Sequence, residues 1–124
     1  MKTKKLIVLA LTLSVIAASL AMPAAATNTT VHGVHVYYGG GHGTNSYSSQ
    51  ITGTIVEGEP YTVTNDLLAT VSAKVYDSDG NYKYTNYNDG TLSASVSGSG
   101  LAFEVGFIYT TFTFDGVSLG SHLY

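Results

Sequence analysis

The chain has 124 residues with a formal net charge of −3, and it contains no cysteine. Disulfides therefore cannot stabilise it, and its stability must come from burying aliphatic and aromatic side chains. Three of the five basic residues lie before residue 6, so two lysines face eight acidic side chains after residue 26, a formal charge of −6. This balance argues against a nucleic-acid partner and against long-range attraction to anionic lipid.

The first 26 residues have the pattern of a secretory signal peptide. Three lysines precede an apolar stretch over residues 6–20, and Pro23 precedes a small-x-small cleavage site that ends at Ala26. The alternative, an N-terminal membrane anchor, is disfavoured because the stretch is shorter than the ~20 residues of a spanning helix. We predict cleavage after Ala26, which leaves residues 27–124 as one secreted, extracellular domain with no stable membrane anchor.

The predicted mature chain begins with a polar segment, residues 27–30, that is expected to fray. The alternation of apolar and polar residues predicts a first strand over residues 31–38. The run from Gly39 to Gly43 then predicts a flexible loop around His42, because glycine costs conformational entropy to order. Further strands are predicted over residues 46–56 and 61–64.

The centre of the chain predicts a three-stranded meander over residues 69–96. The pair Asp79-Gly80 between two alternating runs is typical of a tight hairpin. Pairing about this turn places Val75 opposite Tyr84 and Tyr76 opposite Lys83. A second turn at Asn88-Asp89-Gly90 is expected to lead into the third strand.

The most apolar strand is predicted after residue 100, with a slip in the alternation at Thr110-Thr111 and an Asp115-Gly116 hairpin behind it. In total the pattern predicts eight or nine short strands and no amphipathic helix. The expected fold class is all-β, a small antiparallel β-sandwich or a small barrel. The predicted core consists of Val71, Val75, Leu92, Val96, Leu101, Phe103, Val105, Phe107, Phe112 and Phe114.

Two groups of residues raise the question of a metal, although the sequence predicts no cofactor. His32 and His35 are three residues apart, and residues at this spacing on a strand face opposite sides. They therefore do not share an ion without a bulge. The acidic turn at 77–81 resembles the start of an EF-hand calcium loop but lacks its glycine and its glutamate, and a plain hairpin turn explains it. The sequence leaves metal binding open for His32, His35 and His42, and for Asp77 and Asp79.

Tyrosines concentrate around the central hairpin, and they are the candidate binding surface. Aromatic faces beside amide and carboxylate groups suit stacking on sugar rings, although tyrosine is also a favoured strand residue. The candidate ligand-binding residues are Tyr76, Tyr82, Tyr87 and Lys83, whereas Tyr84 is expected to be structural. This predicts a binding or cell-surface interaction module whose partner is a cell-wall glycan or a surface protein. The sequence does not indicate the oligomeric state.

Enzymatic activity is not expected. Glu104 is the one acid within a strongly apolar predicted strand, but a glycosidase needs a second carboxylate across a cleft, and no nucleophile-elbow pattern occurs. Uncharged Ser/Thr/Gly/Asn-rich strands can alternatively build a fibre through open edges.

The cysteine-free, Tyr/Gly/His-rich mature N-terminus resembles the small secreted bacteriocins of the lactococcin 972 type. The chain lacks their tryptophans and offers only Asn45-Ser46-Tyr47 for their Ser-Asn-Tyr pattern. The resemblance implies a second hypothesis, a secreted antimicrobial effector acting on a neighbouring cell's envelope, and it assigns no residues.

Overall fold

The computed structural model describes residues 25–124, and the residues in this range form eight strands and no helix. Apart from Ala25 and Ala26, the predicted signal peptide lies outside the described residues. No helix within the described range could cross a membrane. The strands are β1 Ala25–Val31, β2 Val34–His42, β3 Tyr47–Thr54, β4 Leu68–Asp77, β5 Tyr82–Thr91, β6 Ser93–Gly98, β7 Val105–Phe114 and β8 Val117–Leu123.

The strands form two four-stranded antiparallel sheets. The strand order is β1-β2-β3-β6 in the first sheet and β5-β4-β7-β8 in the second. Apolar side chains from the two sheets form one buried cluster between them. The all-β prediction is confirmed, and the two facing sheets are consistent with the predicted β-sandwich.

The core follows from strict alternation on the inner strands. Ser49 and Thr110, one from each sheet, are buried within this core, and their hydroxyl groups are hydrogen-bonded at 2.9 Å. Every buried side-chain nitrogen and oxygen in the described part of the chain has a hydrogen-bond partner. The largest fully buried apolar side chains are Phe112, Phe114, Ile51, Leu92, Ile108, Val34, Val36, Val71 and Val75.

The hairpin predicted at Asp79-Gly80 is present between β4 and β5. Val75 pairs with Tyr84, as predicted. Tyr76 pairs with Tyr82 and not with Lys83, because a register shift next to Val75 leaves Lys83 without a directly opposite partner. A bulge of this kind adds one residue to one strand of the pair.

The predicted three-stranded meander is wrong. There is no turn at Asn88-Asp89-Gly90, since β5 continues to Thr91. The chain then crosses to the other sheet at Leu92, which has a φ of 67° and a fully buried side chain, and β6 pairs with β3. Burial of Leu92 offsets the cost of a positive φ at a residue with a Cβ.

The glycine-rich stretch after Tyr38 is also not a loop. Strand β2 runs through Gly39, Gly40 and Gly41 to His42 and pairs with β3 along this length. A Cβ at Gly40 would lie 2.6 Å from Ser49 Oγ and 2.7 Å from Tyr124 Cδ2. The glycine therefore makes room for the Tyr124 ring, and the prediction of a loop is wrong for residues 39–42.

Two other expectations differ from the structure. Residues 27–30 do not fray, because they belong to β1 and pair with β2. Residues 61–64 are not a strand but part of an irregular linker, 55–67, that carries the chain from the first sheet to the second.

The inward and outward faces of β7 are set by a bulge at Gly106. Asp77 pairs with Val105 and Tyr76 with Phe107, so Gly106 has no partner. A Cβ there would lie 2.3 Å from the Asp77 carbonyl oxygen, which excludes larger residues. The change of face on β7 therefore precedes the slip predicted at Thr110-Thr111. The irregularity nearest that position is a register shift in the pairing of β7 with β8, between Thr111 and Thr113.

The bulge corrects part of the predicted core. Phe107 points outward, whereas Ile108, absent from the prediction, is fully buried. Leu101 and Phe103 lie before β7 and are only partly buried against the core. The other predicted core residues are buried: Val71, Val75, Leu92, Val96, Val105, Phe112 and Phe114.

Candidate functional site

The outer face of the second sheet carries most of the exposed tyrosine rings. Pairing places the outward residues of β5, β4 and β7 side by side. Tyr82, Tyr87 and Tyr109 are 54%, 57% and 40% exposed there. We call this surface the tyrosine face and define it by Tyr76, Tyr82, Thr85, Tyr87, Lys74, Phe107 and Tyr109.

Tyr76 supports the tyrosine face from within. Its ring stacks on Phe107 with centroids 4.5 Å apart and planes 14° apart. Tyr82 contacts it in an edge arrangement at 5.7 Å. Such aromatic pairs stabilise a sheet beyond the area that they bury. Because Tyr76 is half-buried between these two rings, it holds Tyr82 in place more than it offers a free ring surface.

The two most exposed rings of β5 have fixed directions. The Tyr82 hydroxyl is 2.7 Å from Thr85 Oγ1, and the Tyr87 hydroxyl donates to Asp89 Oδ2 at 3.0 Å. Both partners lie further along β5, so both rings lean along this strand. The hydrogen bond to Asp89 raises the pKa of Tyr87, and the hydroxyl stays neutral. Rings held in this way lose less conformational freedom when a ligand binds.

Lys83, the fourth predicted site residue, is engaged elsewhere. Its Nζ lies 4.0 Å from Asp77 Oδ2 and 5.0 Å from the centroid of the Phe103 ring. Phe103 packs against the core from the loop before β7, so it draws the ammonium group away from the strand surface. The lysine on the tyrosine face is instead Lys74, which alternates in phase with Tyr76 along β4. That phase was readable in the sequence.

Tyr84 faces inward, as expected from its pairing with Val75. Its hydroxyl donates to the Tyr47 hydroxyl at 3.0 Å, and burial together with this contact raises the pKa of Tyr84 to about 12. Asn86 Nδ2 donates to the same Tyr47 oxygen at 2.9 Å. Tyr84 is therefore a structural residue at the boundary between the sheets.

Asn86 and Asn88, also on the inner side of β5, join the two sheets. Asn86 Nδ2 donates to the Ser97 carbonyl at 3.3 Å, and Asn88 Nδ2 donates to the Ser95 carbonyl at 3.0 Å. These carbonyls belong to β6, the edge strand of the first sheet. The β6 edge therefore satisfies both inward-facing asparagine side chains.

The metal candidates are separated in the structure. Asp77 Oδ1 accepts the amides of Asp79 and Asn81 at 3.0 and 2.9 Å, which closes the hairpin turn. His35 Nε2 lies 2.7 Å from Glu59 Oε1, and His42 is exposed at the end of β2. Within residues 25–124, no three His, Asp or Glu side chains are grouped to hold an ion.

Asp115 is a buried carboxylate that the sequence analysis did not single out. It holds together the β7–β8 turn, the linker and the turn between β1 and β2. Burial alone raises its pKa, but hydrogen bonds to its oxygens outweigh this effect and hold the pKa of Asp115 below its ordinary value. The donors are His32 Nδ1 and the amides of Thr64, Asn65 and Leu67.

Asp115 therefore stabilises the fold at the end of the sandwich where three segments meet. All four of its donors belong to these segments, so the carboxylate has a structural role.

Comparison with family models, with curated proteins and with solved structures finds no match to this chain.

Proposed function

We propose that the protein is a secreted, non-enzymatic binding module whose tyrosine face binds a cell-wall glycan. The observation that supports the proposal is the concentration of three exposed tyrosines on one sheet surface. Tyr82, Tyr87 and Tyr109 are 54%, 57% and 40% exposed there. Exposed aromatic rings grouped on one surface are typical of interaction sites.

A sugar fits this surface better than an apolar partner does. The ring faces suit the C–H surface of a pyranose, and hydroxyls between the rings suit its polar edge. Thr85 lies between Tyr82 and Tyr87 on β5, and Ser72 of β4 pairs with Tyr87. The rings thus alternate with hydrogen-bonding groups and do not form a continuous apolar patch.

The positions of the acids support a non-enzymatic role. Glu57 and Glu59 are exposed in the linker, and Glu104 is exposed in the loop before β7 instead of lying within an apolar strand. Catalytic groups usually lie in a protected cleft, whereas these three side chains are open to solvent. The buried Asp115 is occupied by its four donors.

The test is a pull-down of purified protein on peptidoglycan and on whole cells. We expect the double variant Tyr82→Ala with Tyr87→Ala to lose binding. The matched control is Tyr37→Ala, which removes a 44% exposed tyrosine from the outer face of the first sheet and should bind like wild type. Retained binding by the double variant, or equal loss in the control, contradicts the proposal.

A growth-inhibition spot test on the same samples addresses the effector hypothesis. Inhibition that survives the double tyrosine variant would favour an antimicrobial effector that acts through another surface. Capture by a surface protein, with no binding to purified glycan, would favour the protein partner.

Secretion belongs to the same proposal and has its own test. Cleavage after Ala26 removes the two β1 residues that pair with Gly39 and Gly40, and it keeps the pairs from Thr27 onward. Expression in a secreting bacterial host should yield a protein in the medium that begins at Thr27, as measured by intact mass. A secreted product that retains residues 1–26 would contradict this part of the proposal.

A further inference from the structure

The tyrosine face contains one cation, and its position indicates what kind of glycan the face accepts. Lys74 is exposed on β4, where it lies directly opposite Thr85 of β5 and Tyr109 of β7. Directly opposed residues have Cβ atoms about 4.5–5.5 Å apart, and diagonal neighbours are about 7–8 Å apart. Tyr87 is such a diagonal neighbour, so exposed rings on both neighbouring strands flank the position of Lys74.

Lys74 has no carboxylate partner among the described residues, unlike Lys83. The ion pairs in residues 25–124 involve His32, His35 and Lys83. The nearest acid on the same face of β5 is Asp89, which pairs with Thr70, four residues along β4 from Lys74, or about 13 Å. Asp89 accepts the Tyr87 hydroxyl. The Lys74 charge is therefore available to a ligand that lies on the rings.

The spacing of the rings sets the length of the ligand. Tyr82 and Tyr87 lie opposite Tyr76 and Ser72, which are four residues apart on β4, or about 13 Å at the rise of a β-strand. Since both rings lean along the strand, a ligand that contacts both must extend along β5 over more than one sugar ring and pass beside Lys74.

Building on the proposed glycan binding, we infer that the tyrosine face binds an extended glycan strand whose sugars carry sparse carboxylates. Tyr82 and Tyr87 stack on two of its sugars, and Lys74 pairs with the carboxylate of a sugar between them. Lys74 is then the specificity-determining residue of the site. A densely charged polyanion is disfavoured, because residues 27–124 carry a formal charge of −6.

The experiment compares two soluble probes of equal length by titration calorimetry. Hyaluronan oligosaccharides carry a carboxylate on every second sugar, and chitin oligosaccharides carry none. We expect the purified protein to bind the hyaluronan probe about two- to fivefold more tightly, the range of an exposed ion pair. The preference should shrink at high ionic strength, because salt screens exposed charges.

Lys74→Met should abolish the preference for the acidic probe and leave binding of the neutral probe unchanged. Lys83→Met is the matched control, since it removes the other lysine of residues 27–124 from beside Asp77 and Phe103, and it should keep the preference. Affinity for either probe should also rise with chain length until both rings are covered.

The outcomes separate this inference from the proposed function. Equal affinity for both probes, lost in the Tyr82→Ala, Tyr87→Ala variant and unaffected by Lys74→Met, would overturn the role of Lys74 and keep the glycan-binding face. Tyrosine-independent binding of both probes, or no binding of either probe or of peptidoglycan, would overturn the proposed function itself. A preference for the acidic probe that Lys83→Met also abolishes would overturn the assignment to Lys74.

Discussion

The outer faces of the two sheets differ far more than their inner faces do. The inner faces are similar mixtures of Val, Ile and aromatic side chains. Outside, the β1-β2-β3-β6 sheet has one exposed tyrosine, Tyr37, among polar side chains such as Gln50, Thr52 and Ser95. The β5-β4-β7-β8 sheet has three exposed rings and Lys74. Packing constrains the inner faces, so a difference in use between the sheets appears on the outer faces.

The largest effect should come from breaking the shared inner layer. Phe112→Ala removes a fully buried ring from β7 and should lower the free energy of unfolding by about 3–5 kcal/mol. Loss of this size approaches the whole stability of a small domain. Chemical denaturation of the wild type and the variant measures it.

Phe107→Ala is the control on the outer face of the same strand. It removes the stack on Tyr76 and should cost only about 1 kcal/mol. Equal destabilisation by the two variants would mean that the bulge at Gly106 does not set the faces of β7.

A second prediction concerns Asp115, which joins both sheets to the linker. Asp115→Ala leaves one buried amide, of Leu67, and two part-buried amides, of Thr64 and Asn65, without their acceptor and should cost about 3 kcal/mol. The pKa of Asp115 is lowered in the folded state, so its contribution to stability is present above its ordinary pKa of 3.8 and is lost as pH falls through the lower folded value.

Melting curves measured at decreasing pH test this sign. The wild type should lose stability below about pH 4, and Asp115→Asn, which cannot titrate, should lose less over the same range. An identical acid dependence in both proteins would show that other carboxylates carry it.

A smaller effect is expected where the sheets meet at β5 and β6. Asn86→Ala and Asn88→Ala each remove amide hydrogen bonds to β6 carbonyls and should each cost about 1 kcal/mol. Together they expose the β6 edge and should increase self-association, which light scattering measures. Asn28→Ala, at an exposed position of β1, should change neither property.

The smallest change in stability should come from the tyrosine face itself. Tyr82→Ala with Tyr87→Ala, and separately Tyr37→Ala, should each melt within a few degrees of wild type, because exposed side chains contribute little to folding. Thermal melts followed by circular dichroism give this comparison. A large drop in the double variant alone would assign these rings to stability, and the contrast between the two outer faces would then have a structural cause.

Part of the candidate site could be predicted from the sequence. Tyr87 lies exposed on the outer face, because side chains alternate along β5 and the hairpin at Asp79-Gly80 depends on local turn chemistry. Tyr82 is five residues away, and it reaches the same face only because the register shifts beside Tyr76. The place of Lys83 could not be predicted, since the bulge beside it and the approach of Phe103 from a distant loop decide where its ammonium lies.

By itself, the sequence determined the all-β class, the Val75–Tyr84 register and seven of the ten predicted core residues, because period-two alternation and Asp-Gly turns act over a few residues. Only the tertiary structure decided that the chain crosses between sheets at Leu92, that Gly106 reverses the faces of β7, and that the glycines of β2 lie in a strand. Each of these depends on a contact with a segment distant in the chain, such as the Tyr124 ring on Gly40. A local pattern holds no information about which distant segment will pack against it.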